Sequence, residues 1–248
     1  MSLKEAIIVN WRDSKTYVGH ENAIVWPILS ASSDDNSDIS CCLQHIGGFA
    51  RHSMQGRKNS DSHAHTNAEQ YYYILSGEGE VVIGDERHKV REGSVTYFPP
   101  NTPHQYLNEN TDTWAEHLII TFAVERHGSS QRILNWRDAT PTFGVHGDAV
   151  TWHLLESVDE TEPSTNQPCL LTSYYLARQA VIRGKASDYH VHDDKEQVYY
   201  ILEGHGLVIT DGLVRRVSEG DTIYLPRGVG HQIINEDYDG WLSYLVVS

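Results

Sequence analysis

Six histidines in two matched sets carry the clearest chemical signal in this chain. His63 and His65 stand two residues apart, and His104 follows 41 residues after the first; His190, His192 and His231 repeat that spacing. Residues i and i+2 of an extended strand project to the same face, so each pair presents two imidazoles side by side. A third imidazole from a later strand completes a donor set for one divalent transition metal in each half. Neutral imidazole nitrogen suits Zn, Ni and Fe, and Mn is a further candidate. A chain with 15 histidines carries some of no consequence, but identical spacing in two divergent copies points to metal binding.

The elements that must position these side chains are written twice. Asn10-Trp11-Arg12-Asp13 recurs as Asn135-Trp136-Arg137-Asp138, and Trp26 recurs as Trp152. His63, Gly93, Pro99, His104, Asn108 and Trp114 all recur 127 residues later. Two copies of this size are two tandem domains, expected at 1–127 and 128–248, with the boundary in the polar stretch ERHGSSQ at 125–131. Short runs of Tyr, Ile, Val and Leu alternate with Gly, Asn and Asp turns, which reads as all-β. Asp211-Gly212 is a strong hairpin signal. The segments 128–140 and 154–163 are where short helices are expected. The repeated Asn-Trp-Arg-Asp stretch reads as structural, docking one barrel on the other, and Trp26 and Trp152 as core residues.

Composition narrows the partners. The formal net charge is −15 with no Lys/Arg-rich block, so neither nucleic acid nor an anionic membrane is a suitable partner, and a small-molecule substrate is expected. An anionic substrate needs a local positive charge, which a metal supplies. Cys41, Cys42 and Cys169 form no CxxC pair, and with a start lacking a signal peptide's apolar core they fit a reducing cytoplasm. Cys41 and Cys42 are expected to be buried or inert.

The phrases around the histidines resemble the cupin family, whose motifs are G-x5-HxH-x3,4-E-x6-G and G-x5-PxG-x2-H-x3-N. Gly184, His190, His192, Gly220, Pro226, Gly228, His231 and Asn235 match the second copy closely. The first copy keeps Gly93, Pro99, His104 and Asn108 but has Asn101 where the pattern has Gly, and its loop before His63 is one residue longer. The resemblance covers both halves and implies a bicupin: two tandem double-stranded β-helix (jelly-roll) barrels. Edge strands of such barrels pair readily, and a homodimer is compatible with this expectation.

The fourth ligand departs from the pattern. Glu69 and Glu196 keep the short spacing from HxH but leave seven residues between themselves and Gly77 and Gly204; Gln70 and Gln197 leave the required six. The strand leading to the glycine is rigid and the loop is not, which favours Gln70 and Gln197, with Glu69 and Glu196 as the alternative. A ligand set of three His and one Gln leaves a divalent metal its full charge and makes it a stronger Lewis acid.

Strand alternation from Gln70 and Gln197 turns Tyr72 and Tyr199 inward, and from His104 it turns Tyr106 inward. Either Glu116 or His117 faces inward as a candidate general base. Arg51 and Arg178 are candidate clamps for a substrate carboxylate. The reading is an enzyme using a 3-His/1-Gln metal as Lewis acid on a small oxygen-rich anionic metabolite, of isomerase, lyase or cyclase type. A non-haem Fe(II) dioxygenase and a non-enzymatic binding or sensing bicupin are the alternatives.

Overall fold

The structure is a computed structural model that describes residues 5–31, 40–159 and 168–248. Nearly every element is a strand, and the two helical elements are single 3-10 turns at Trp11–Asp13 and Trp136–Asp138. Of the two segments where short helices are expected, 128–140 holds only the 3-10 turn at Trp136–Asp138, and the described part of 154–163 holds none. Arg132–Asn135 and Ala149–Glu156 are strands instead, because both runs find sheet partners that outweigh weak local helix propensity; positions 160–163 lie outside the described residues.

The chain forms two compact units. The unit carrying His63, His65 and His104 builds a large sheet in the order Arg132–Asn135, Ser94–Phe98, Ala68–Ser76, Ala115–Ala123, Ile46–Met54, Ala23–Ser30 and Tyr17–Gly19. A smaller sheet of His104–Leu107, Glu78–Ile83 and Glu86–Arg91 accompanies it. In the other unit the order is Ile7–Asn10, Asp221–Leu225, Gln197–Glu203, Trp241–Val247, Tyr175–Ile182, Ala149–Glu156 and Pro141–His146. Its smaller sheet holds Lys185–Ala186, His231–Asn235, His205–Thr210 and Leu213–Ser218. Period-two alternation places Tyr72, Ile74, Val81, Ile83, Tyr106 and Ile119 in one core, and Tyr199, Ile201, Val208, Ile223, Ile233 and Val246 in the other. These are two jelly-roll barrels.

The units are not the two contiguous halves of the chain. Ile7–Asn10 pairs with Asp221–Leu225, and Arg132–Asn135 pairs with Ser94–Phe98. Each copy's opening strand thus completes the barrel of the other copy, and 156–173 also belongs with the N-terminal barrel. The Asn-Trp-Arg-Asp repeat ends these strands. Trp136 lies over Gly93, where an added Cβ would come within 2.4 Å of the indole, and Trp11 lies over Gly220 in the same way. Arg137 and Arg12 stack on those indoles. The stretch is therefore a latch within each unit. Trp26 and Trp152 are half-buried, outside the two cores.

Turn chemistry follows the sequence. Asp211 and Gly212 take φ of 46° and 81° at a two-residue hairpin, and Asn101 takes the left-handed backbone of the glycine it replaces, with φ 63°. Asn108 and Asn235 are buried clamps: Asn108 Nδ2 donates to the carbonyls of Met54 and Thr113, and Asn235 Nδ2 to those of Val181 and Gly240. Cys42 and Cys169 are buried, and burial pushes the Cys169 thiol up to about 12; the Cys41 side chain lies outside the described residues.

Candidate metal centres

Each histidine set is assembled by one backbone device. His63 and His104 form an antiparallel bridge in which each N–H donates to the other's carbonyl, at 3.1 and 2.8 Å. His190 and His231 do the same at 3.2 and 2.9 Å. Directly paired residues present side chains on one face, and the i+2 rule adds His65 and His192 to it. The result is three donor atoms within 4.8 Å of one another in each barrel.

The outer nitrogens are anchored. Nδ1 of His104 lies 3.0 Å from the Thr102 carbonyl, and Nδ1 of His231 lies 3.0 Å from the Val229 carbonyl. Nδ1 of His63 and His190 approach the carbonyls of Asp61 and Asp188 at 3.4 and 3.3 Å. This fixes the tautomer that leaves Nε2 with a lone pair facing inward. Nε2 of His63, His65, His192 and His231 is buried and has no hydrogen-bond partner among the described residues. Buried polar atoms are rarely left so, and in each barrel two such lone pairs turned toward the third histidine of the set fit a metal cation.

The two residues competing for the fourth place separate cleanly. Gln70 Oε1 lies 3.2 Å from Nε2 of His104, while its Nε2 donates to Thr121 Oγ1 at 3.0 Å. In this orientation of the amide, a neutral His104 meets two acceptors, the Thr102 carbonyl and Gln70 Oε1, with a single N–H. A cation at Nε2 relieves that conflict. Glu69 turns to the opposite face, where its carboxylate accepts the backbone N–H groups of Leu171, Thr172 and Ser173 and the Tyr97 hydroxyl. Glu196 likewise accepts from the Tyr224 hydroxyl at 2.9 Å. Gln197 is engaged by two phenols: its Nε2 donates to Tyr175 Oη at 2.5 Å and its Oε1 accepts from Tyr199 at 3.3 Å.

The pocket residues divide by strand alternation. His117 faces inward, with its ring 4.7 Å from Tyr72 and 4.8 Å from Tyr106. Tyr72 lies 6.2 Å from His104, and Tyr199 lies 5.6 Å from His231. Glu116 and Arg51 point away from the pocket. Ala115 and Ile119 line the N-terminal core, with Ala50 and Met54 packed there from the neighbouring strand, so the intervening residues face out. There Arg51 Nη2 donates to Glu116 Oε2 at 2.5 Å, and Ser76 Oγ donates to the same oxygen. Glu116 as base and Arg51 as clamp are thereby corrected. Arg178 is corrected for the same reason, since Tyr175 and Val181 bracket it on the inward face.

Two further histidines join the N-terminal site. His20 stacks on His63 at 4.8 Å, with its Nδ1 3.2 Å from Asp61, and His52 lies between His20 and His117 at 5.2 and 5.4 Å. His146 and Asp188 repeat the first arrangement beside His190. The signal was present in the repeat, since His20 recurs as His146 and Asp61 as Asp188.

Burial holds these imidazoles neutral. It lowers His104 and His117 to about 3, His192 and His231 to about 4, and His52 well below the usual range. In the unfolded chain each titrates near 6.5. Between those values the unfolded state binds protons that the folded state refuses, so the metal-free protein loses stability as pH falls below about 6.5. His117 alone, fully enclosed, contributes a loss of about 2 kcal/mol by pH 5. Urea unfolding of the metal-free protein at pH 7 and pH 5 checks this, and His117→Gln is expected to flatten the difference.

Comparison with known proteins decides the family. The Cupin domain profile matches residues 51–120 and 178–248, more than half of the chain. The chain belongs to the cupin family. Similar cupin-fold structures span the whole molecule. A proposed glyoxylate-induced protein of Pseudomonas aeruginosa has a TM-score of 0.78 at 15% identity, covering 100% of this chain and 89% of the other. A mutant form of oxalate decarboxylase from Bacillus subtilis has a TM-score of 0.71 at 15% identity, covering 100% and 77%. The YlbA protein of E. coli has 0.70 at 12%, covering 98% and 89%. In sequence, the uncharacterized protein MJ1618 of Methanocaldococcus jannaschii is 43% identical over 60 residues, 24% of this chain and 48% of that protein. The chain thus spans about half the length of the curated relative it matches. No helix among the described residues is long and apolar enough to cross a membrane.

Proposed function

We propose that this bicupin is a metal-dependent enzyme that uses a divalent ion as a Lewis acid on a small, oxygen-rich, anionic metabolite, in an isomerase, lyase or cyclase type of reaction. The observation that supports it most is the convergence of buried, unpartnered imidazole Nε2 atoms on a point in each barrel. His63, His65, His104 and Gln70 would hold one ion, and His190, His192, His231 and Gln197 the other. Bound there, a divalent ion with four neutral ligands polarises carbonyl groups and attracts carboxylate or enolate oxygens. The chain's own part is to orient and exclude water. Neutral His52 and His117 offer a proton donor and acceptor inside the N-terminal barrel, and the phenols of Tyr72 and Tyr106, raised by burial, stay protonated.

Elemental analysis of the purified protein, followed by a panel of hydroxy, keto and dicarboxylic acids assayed with an oxygen electrode, tests this. The expected result is one divalent ion per barrel and turnover without oxygen uptake. Iron occupancy with substrate-dependent oxygen consumption would establish the dioxygenase reading in its place. Metal content with ligand binding but no turnover would establish the sensing one.

A further inference from the structure

The two metal centres are alike in their ligands and differ in what stands over them. In the N-terminal barrel Gly48, Thr121 and Gln70 lie side by side on three neighbouring strands, since Thr121 pairs with both of the others. In the C-terminal barrel the equivalent positions are Tyr175, Ser248 and Gln197. Tyr175 and Ser248 exchange backbone hydrogen bonds of 3.1 and 3.4 Å. The Tyr175 hydroxyl accepts from Gln197 Nε2 at 2.5 Å, so the phenol is drawn across the amide proposed as fourth ligand. Lys195 lies against the Tyr175 ring at 5.4 Å and against the neighbouring Tyr174 ring at 4.9 Å, on the segment leading to Gln197.

Gly48 is the counterpart of that phenol, and nothing in the backbone calls for a glycine there. It is absent from the positive-φ residues, and a Cβ built on it meets nothing within 4 Å. Glycine in a strand interior costs stability and marks a close approach or a ligand. No described residue comes within 4 Å of the position a Cβ would take on Gly48, which leaves space beside Gln70. The inward positions that follow also differ in kind. Ala50 and His52 succeed Gly48, with His117 facing His52 across the strands; in the other barrel Gln179 and Tyr244 take the places of His52 and His117.

We propose that the N-terminal barrel is the one that admits a ligand to its metal, and that Tyr175 plugs the C-terminal barrel, leaving its ion a structural role. The ligand class is a small bidentate oxygen anion that enters beside Gly48 and meets Gln70, Thr121 and His52. This rests on the metal reading above.

Cobalt(II) as the ion and acetohydroxamate as the anion provide the test. The protein is loaded with cobalt, the metal content is measured, and the visible cobalt absorption is followed during titration. Two cobalt ions and one acetohydroxamate per chain are expected for the native protein. Tyr175→Gly raises the anion stoichiometry to two, and Gly48→Tyr lowers it to zero, with cobalt content unchanged in both. His231→Ala removes one cobalt and leaves the single acetohydroxamate in place. Two anions bound by the native protein, one still bound by Gly48→Tyr, or no gain in Tyr175→Gly each overturns the assignment. If Gly48→Tyr does not fold, the native stoichiometry and the Tyr175→Gly gain still decide it. Failure to take up cobalt at all overturns the metal reading itself, which the metal analysis shows before any anion is added.

Discussion

His104→Ala is expected to weaken metal binding at the N-terminal barrel by more than the 10–100-fold that loss of an outer partner brings, and to abolish turnover. His104 contributes its Nε2 from the strand His104–Leu107, and no neighbouring side chain can replace it, because Phe98 stacks on the ring at 4.2 Å and Gln70 already faces it. The backbone bridge to His63 does not depend on the imidazole and keeps the strands in register. Competition with a chromophoric chelator measures the two affinities. One ion per chain should bind as before and the other should be lost. His231→Ala should do the reverse at the C-terminal barrel and leave turnover largely intact. Full retention of both ions in either variant would refute the ligand assignment.

Glu69→Ala should destabilise the fold far more than it disturbs the metal. Its carboxylate is fully buried and accepts three backbone N–H groups at 2.7 to 2.9 Å, together with the Tyr97 hydroxyl. Removing it strands four donors, three of them in buried hydrogen bonds and the Thr172 N–H part-buried. A loss of about 4 kcal/mol is expected, or roughly 10 °C in melting temperature for a chain of this size. Gln70→Ala is the converse. It removes the hydrogen bond to Thr121 and the contact with His104, costs about 1 kcal/mol in the metal-free protein, and weakens metal binding. Thermal unfolding of the metal-free forms, set beside metal affinity, separates the adjacent residues. The opposite pattern would return the ligand role to Glu69.

Much of this was legible from spacing. Three histidines at fixed intervals implied a bridge between strands, and alternation correctly placed Tyr72, Tyr106 and Tyr199 inside. The rigidity of the strand that ends at Gly77 agrees with the faces the two residues take, Gln70 toward His104 and Glu69 away from it. The exterior position of Arg51 and Glu116 was harder, because a period of two leaves the choice of face open until one residue is pinned. His117 could have been pinned by its register with His52 across the strands, but register between strands distant in sequence is set by the whole sheet. His20, Asp61, Gly48 and Tyr175 were readable once the repeat was extended beyond its motifs. They were missed because a glycine or a lone aspartate carries no chemistry until its neighbours are known. The exchange of opening strands had no local signal, since Ile7–Asn10 and Arg132–Asn135 are both short β-prone runs and neither names its partner.

That exchange also sets the order in which the molecule can be made. The hydrogen bond between Asn10 and Asp221 spans 211 residues, so Ile7–Asn10 waits until Asp221–Leu225 has been made before it has a partner. The N-terminal barrel cannot close until synthesis has passed Trp136, and it needs the stretch around Leu171 before Glu69 is satisfied. A fragment ending at residue 127 would leave the edge of Ser94–Phe98 bare and prone to pair with other chains. Contacts of such long range slow folding, and neither copy of the repeat is a unit that can be expressed alone.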